Sequence, residues 1–267
     1  MTTKTSMALL TEYGGDSSED EVPGPRVSTK RTFREDSDPD SASPPQRLPV
    51  PAHFITKNED EPKDDPALHE GRLRSFAHER GNWATFVYIP FEAKPGLLEL
   101  CSYIKETMPS HLEVKISEDF HISLTKTVVL KYHWITPFMQ SLKEHLGVFR
   151  KFIILLKGIK VYCNEERTRT FIGVQIKSGY DTLLSFVNVL DRCLNEFNLP
   201  CFYKDPSFHI SIAWFIGDLQ RDLEAYVAQV NNKFIELMDI YSEDNFYILA
   251  ESIMCKSGNK YFQFVLS

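Results

Sequence analysis

Two tetrapeptides, Phe120-His121-Ile122-Ser123 and Phe208-His209-Ile210-Ser211, each set an imidazole two residues before a hydroxyl, and each runs on into another aliphatic residue, Leu124 or Ile212. Their alternation reads as β-strand, with His and Ser on one face and Phe, Ile and the following aliphatic residue on the other. A single His-x-Ser carries no information, because a chain with eight His yields roughly one such triplet by chance. Repetition of the whole unit at the same strand phase is informative. Two imidazoles meeting in one cleft can run a proton relay. One removes a proton from a nucleophile, and the other, protonated, gives a proton to the leaving group; an unperturbed pKa of about 6.5 populates both forms near neutrality. The Ser hydroxyls would donate to the oxygens of a charged tetrahedral centre. Two donors flanked by two imidazoles fit a phosphodiester, and the scheme needs neither a metal nor any other cofactor.

The rest of the chain must bring these strands together. Residues 82–90 form a first strand rich in β-branched and aromatic side chains that ends at Pro90. A helix is expected over about 94–107, and the first His strand over about 119–126. Thr136-Pro137 reads as an N-cap followed by proline at the first helical position, opening a helix that stops near Gly147. Strands over about 151–163 and 168–177 are joined by the turn Asn164-Glu165-Glu166-Arg167. A helix over about 180–197 shows an amphipathic period interrupted by one polar residue, Asp191. After Pro200 and the loop Tyr203-Lys204-Asp205-Pro206-Ser207, the second His strand runs to Gly217. A helix over about 219–236 and strands over about 245–255 and 259–266 complete the chain. Each His strand is followed by a helix and then two strands, so the expected fold is α+β. We read an internally duplicated domain of two pseudo-symmetric lobes, with mainly antiparallel sheets flanked by helices around a central cleft.

Charge is unevenly placed along the 267 residues. Residues 1–70 carry 8 of the 30 Lys and Arg and 15 of the 37 Asp and Glu, which leaves residues 71–267 formally neutral. A protein that grips a long duplex shows a basic excess, so a nucleic-acid substrate here would be a short segment or an end. Residues 1–71 combine Ser, Asp, Glu and Pro with few large apolar groups and are expected to be a disordered acidic tail; within it, residues 28–34 form a weak basic cluster. Cys101, Cys163, Cys193, Cys201 and Cys255 lack any paired spacing and read as reduced, packed side chains. The N-terminus shows no signal-peptide pattern and no run reaches membrane-spanning length, so a soluble protein without a membrane partner is expected.

Further stretches carry a resemblance. They are His78-Glu79-Arg80-Gly81-Asn82-Trp83-Ala84-Thr85, Arg167-Thr168-Arg169-Thr170-Phe171-Ile172-Gly173, Phe202-Tyr203-Lys204-Asp205-Pro206-Ser207-Phe208-His209 and Cys255-Lys256-Ser257-Gly258-Asn259-Lys260. With the paired His motifs, residues 72–267 resemble the two-histidine (2H) phosphoesterase superfamily, and within it the enzymes that process the 3′ end of U6 small nuclear RNA. The resemblance implies a metal-independent 3′–5′ exoribonuclease in the nucleus. It would trim the uridine-rich 3′ end of single-stranded U6 RNA, leave a 2′,3′-cyclic phosphate or an end derived from one, and act as a monomer. It assigns His121 as base and His209 as acid, a distinction that the symmetric motifs do not make by themselves. Ser123 and Ser211 would hold phosphate oxygens, and Tyr203 would stack on a base. Asp205, Ser207, Phe208, Ile122, Ile210 and Glu165 would contact the substrate; Glu165 stands where a relative carries Gln, and an acid is unwelcome beside a phosphate.

Two other functions fit some of these residues. The same relay can serve a 2′,3′-cyclic or 2′,5′ phosphodiesterase on other RNA ends. From a different class, the domain could be a non-catalytic RNA-end binder, against which stands the presence of both His and both Ser. A zinc hydrolase is disfavoured because neither His has a second ligand at useful spacing.

Overall fold

Of the chain, the computed structural model describes Pro66, Gly71, Phe76 and residues 79–241 and 246–267. The expected acidic tail, with its basic cluster at 28–34, lies outside the described residues except at Pro66 and Gly71. Everything below falls within the unit Asp60–Ser267.

In chain order the elements are β1 (Asn82–Pro90), α1 (Pro95–Thr107), β2 (Lys115–Ile116), β3 (His121–Ser123), β4 (Val128–Lys131), α2 (Ile135–Leu146), β5 (Phe152–Cys163), β6 (Arg169–Ser178), α3 (Tyr180–Glu196), β7 (His209–Ile216), α4 (Gln220–Tyr241), β8 (Tyr247–Ala250), β9 (Ser252–Ser257) and β10 (Lys260–Val265). The strands join in one sheet of order β10-β9-β1-β3-β7-β6-β5-β8, with β4 added to β1 and β2 added to β7. Every pairing is antiparallel.

Alternation does the sorting. In β1, Val87 and Ile89 are buried while Phe86 and Tyr88 face the other way. In α1, Pro95 opens the helix and Leu97, Leu100, Cys101 and Ile104 line up on the buried stripe. That stripe packs against α4, and α2 packs against α3. Each fully buried Leu or Ile contributes about 1.5–3 kcal/mol relative to exposure, so burial of this sheet face fixes the phase of every strand. The opposite face of β3 and β7 is thereby left to His and Ser.

Some boundaries differ from expectation. The helix expected to begin at Thr136 begins at Ile135, running on from a short 3-10 turn at Tyr132–Trp134, so Thr136 is not its cap. The first His strand shrinks to three residues because β1 has two partners along its length, β3 at Tyr88–Pro90 and β4 at Asn82–Thr85. The expected strand 245–255 breaks at Glu251. Its first piece, β8, pairs with β5, and its second, β9, pairs with β1 at the far side of the sheet. The two spatial halves, β3-β1-β9-β10 and β7-β6-β5-β8, therefore each draw strands from both halves of the sequence.

Candidate active site

β3 and β7 pair antiparallel at Ile122 with Ile210. Both isoleucines are fully buried. Antiparallel continuation of that register sets His121 across from Ser211 and Ser123 across from His209. The four side chains on the opposite face therefore occupy four corners, His alternating with Ser, about a pseudo-twofold axis between the isoleucines. Diagonal neighbours in such a ladder have Cβ atoms roughly 7–8 Å apart, a span that admits one tetrahedral group between two imidazoles.

Each imidazole is held in the same way. His121 Nδ1 donates to the Asp119 carbonyl at 2.9 Å, and His209 Nδ1 donates to the Ser207 carbonyl at 2.7 Å. A carbonyl only accepts, so each Nδ1 carries the proton and the neutral ring keeps Nε2 as a free base. Both rings titrate below the ordinary histidine value. Burial is the main cause for each. The carbonyl bonds oppose it, while Lys256 adds to the lowering at His121, and His121 itself and Lys160 add to it at His209. That His121 acts electrostatically on His209 fits their place in one site.

The second half wraps its imidazole more closely. Tyr162 of β5 lies flat on His209, ring centres 3.7 Å apart and planes 14° apart. Its phenol is 3.2 Å from Ser207 Oγ and also hydrogen-bonds Gln175. Gly173, between the two rings, makes the stack possible, since a Cβ there would lie 2.9 Å from His209 Cδ2 and 3.0 Å from Tyr162 Cε2. A bulge in β7 adjoins it. Gly173 pairs with Ser211 and Ile172 with Ala213, so Ile212 is the extra residue. In the first half, His121 meets Tyr88 edge-on at 5.2 Å and Phe86 at 5.7 Å, both from β1.

The remaining expected residues fall into two groups. Tyr203 is 43% exposed on the loop before β7, with Asp205 and Ser207 also exposed beside it. Asp191, the polar interruption of α3, accepts the Phe202 backbone N–H at 2.8 Å and so anchors that loop. Glu165 reaches this region from the β5–β6 turn, where Lys126 donates to both of its oxygens, at 2.7 and 3.0 Å, and lies 4.3 Å above the Tyr203 ring. The side chains of Ile122, Ile210 and Phe208 do not belong with these. They are 0%, 0% and 4% exposed and pack in the core, where they set the register, because strand alternation turns them from the His and Ser face. Arg167, at the end of the β5–β6 turn, pairs with Asp218 at 2.6 Å. Among the described residues no three His, Cys, Asp or Glu side chains gather into a set that could hold a metal ion.

A family described as an uncharacterised conserved protein, HVSL, matches residues 48–265. The Bos taurus U6 snRNA phosphodiesterase 1 is 43% identical over 271 residues, spanning 98% of this chain and 99% of that protein. The chain belongs to the U6 snRNA phosphodiesterase 1 family. Its Homo sapiens member is 41% identical over 233 residues, spanning 85% of this chain and 86% of that one. The solved Kluyveromyces marxianus Usb1 superposes with a TM-score of 0.49 at 13% identity, over 70% of this chain and 98% of that one.

For this member of the U6 snRNA phosphodiesterase 1 family, sequence reasoning missed Tyr162, Gln175 and Lys126. Only Gly173 carried a signal: a glycine inside a β-branched run marks close approach of another group. Tyr162 and Lys126 have no local pattern that separates them from other strand and loop residues.

Proposed function

We propose that this protein is a phosphodiesterase that trims the uridine-rich 3′ end of U6 small nuclear RNA in the nucleus, working in the 3′–5′ direction. Two strongly similar relatives bear the name U6 snRNA phosphodiesterase 1, which supports the substrate and, through it, the nuclear location. Among the described residues no helix is long and apolar enough to cross a membrane.

One observation carries the chemistry: the Ile122 and Ile210 pairing that puts two carbonyl-anchored imidazoles and two serines on one face. His121 Nε2 takes the proton of the 2′-OH of the penultimate nucleotide. The 2′-oxygen bonds to phosphorus, the bond from phosphorus to the 5′-oxygen of the last nucleoside breaks, and that oxygen takes a proton from His209 Nε2. Ser123 and Ser211 donate to the non-bridging oxygens as charge grows on them. The products are a 2′,3′-cyclic phosphate end and a free nucleoside. Both rings are neutral near pH 7 when empty, so the acid must be charged on binding; an anionic phosphate between the rings favours that protonation. Tyr203, half exposed at the edge, stacks on the terminal base.

The test is digestion of a 3′-uridine-tailed oligonucleotide in strong chelator, with products read by mass spectrometry. Release of one nucleoside from the 3′-hydroxyl end, then of nucleoside 2′,3′-cyclic phosphates in later rounds, with a cyclic phosphate left on the shortened RNA each time, is expected, and a 2′-deoxy group at the penultimate position should stop the first step. Efficient removal of the last nucleoside from the deoxy substrate would overturn the mechanism. Cleavage confined to 2′,5′ linkages or to preformed cyclic ends would replace the reading with the cyclic phosphodiesterase alternative.

A further inference from the structure

Lys126 belongs to the first half of the site, three residues beyond Ser123, yet its partners come from the second. Its ammonium bonds both oxygens of Glu165 in the β5–β6 turn and lies 4.3 Å over the face of Tyr203. The lysine is the more covered of the ion pair, 26% exposed against 58% for Glu165. The Tyr203 hydroxyl titrates above its ordinary value, chiefly through burial, with Glu165 adding to the rise and Lys126 opposing it. One cation therefore connects the segment after β3, the β5–β6 turn and the aromatic ring at the cleft edge.

Glu165 alone would be a poor neighbour for RNA, since a carboxylate repels an arriving phosphate and offers acceptors only. With Lys126 on it, the local charge cancels. An exposed ion pair adds little to folding stability, so its effect should appear in substrate binding.

We infer that Lys126 is a positioning residue of the 3′-terminal nucleotide subsite: it neutralises Glu165 where the RNA anion arrives and backs the Tyr203 ring on which the last base stacks. This rests on the proposed RNA cleavage. Tyr203 then offers one ring face to the base while Lys126 covers the other, and the turn and the loop are held together before substrate enters.

Steady-state kinetics on the 3′-uridine-tailed oligonucleotide in chelator separate the possibilities. Lys126→Gln exposes the carboxylate and should raise KM about tenfold while kcat stays within about threefold. Glu165→Gln leaves the cation unmatched and should lower KM below wild type, with a steeper dependence on salt. The double variant Lys126→Gln/Glu165→Gln should return KM to within about threefold of wild type, the signature of charge cancellation in a double-mutant cycle. A Lys126→Gln KM within about twofold of wild type overturns the inference. So does a double variant as impaired as Lys126→Gln, because the lysine would then act on RNA directly. Thermal melting checks folding; if Lys126→Gln does not fold, a Glu165→Gln enzyme whose KM fails to drop overturns the inference by itself. Wild-type protein that leaves the oligonucleotide intact defeats the cleavage reading instead, so the two failures are distinct.

Discussion

The two halves of the site carry the same His and Ser but support them with different neighbours. Register gives the correspondence. In the first half, Ser123 faces Tyr88 of β1; in the second, Ser211 faces Gly173 of β6. One strand further out, Phe86 faces Lys256 in the first half and Phe171 faces Tyr162 in the second. The first half thus supplies an aromatic edge from the adjacent strand. The second leaves that place empty with glycine and reaches across it with Tyr162, which lies flat on the ring. Both solutions give each imidazole an aromatic wall, but only the second ties the wall to the group that sets the tautomer. Tyr162 bonds the side chain of Ser207, whose carbonyl holds His209 Nδ1. Backbone symmetry sets the pair of imidazoles, and side-chain asymmetry leaves His209 with the more confined setting. A proton donor to a leaving group gains from such confinement, because its proton must be aimed at one oxygen.

The comparison breaks most visibly if either imidazole is removed. Both His121→Ala and His209→Ala should lower kcat by about 10²–10⁴-fold, the range of a lost general acid or base. Single-turnover rates on oligouridine check this, and a near wild-type rate in either variant would end the two-histidine scheme. Next comes Gly173→Ala. The added methyl has 2.9 Å to His209 and 3.0 Å to Tyr162, so the stack must shift; a displacement of about 1 Å at a reacting group costs about 10²-fold in rate. The matching change in the first half, Tyr88→Ala, opens space instead of closing it and should lower kcat less. Equal losses in the two variants would show that the asymmetry does not matter to catalysis.

These effects also mark how far the sequence was legible. The phase of the His strands was readable because strand alternation ties Ile122 and Ile210 to the core and so places His and Ser opposite. Strand length was not readable, since the three residues of β3 reflect a handover of β1 between two partners, a long-range matter. Asp191 announced itself as a polar residue in an apolar stripe, but its partner is a backbone N–H eleven residues on, and no local rule names it. Phe208 adjoins His209 in the sequence but packs in the core, because neighbours along a strand face opposite ways. Glu165 was noted as an awkward acid, and its neutralising cation lies 39 positions away in the sequence. Tyr162 was invisible for the same reason, as it reaches His209 over an intervening strand.

A smaller effect separates the two aromatic walls. Tyr162→Phe keeps the ring over His209 and removes the hydroxyl bonded to Ser207, which should cost about 0.5–1.5 kcal/mol of stability in urea unfolding and a few-fold in kcat. Tyr88→Phe keeps the edge contact with His121 and should cost less on both measures. If Tyr88→Phe were the more damaging, the tautomer link drawn through Tyr162 and Ser207 would be wrong.

The smallest expected effect is on stability against pH. Burial lowers the pKa of both imidazoles in the folded protein, so below about 6.5, the unfolded value, the unfolded chain binds more protons at these two positions than the folded one. Their neutral, carbonyl-bonded state is therefore fully compatible with folding above that pH. On acidification, stability falls through the interval between the unfolded and folded values. His121→Gln and His209→Gln each remove one such group and should flatten the decline in unfolding free energy between about pH 7.5 and 5.5. His209 also feels the His121 charge, so with coupling the double variant should flatten the curve by less than the two single changes together. A wild-type protein that gained stability on acidification through this window would show that the rings are held charged rather than neutral, and the proton-accepting role of His121 would fall with that result.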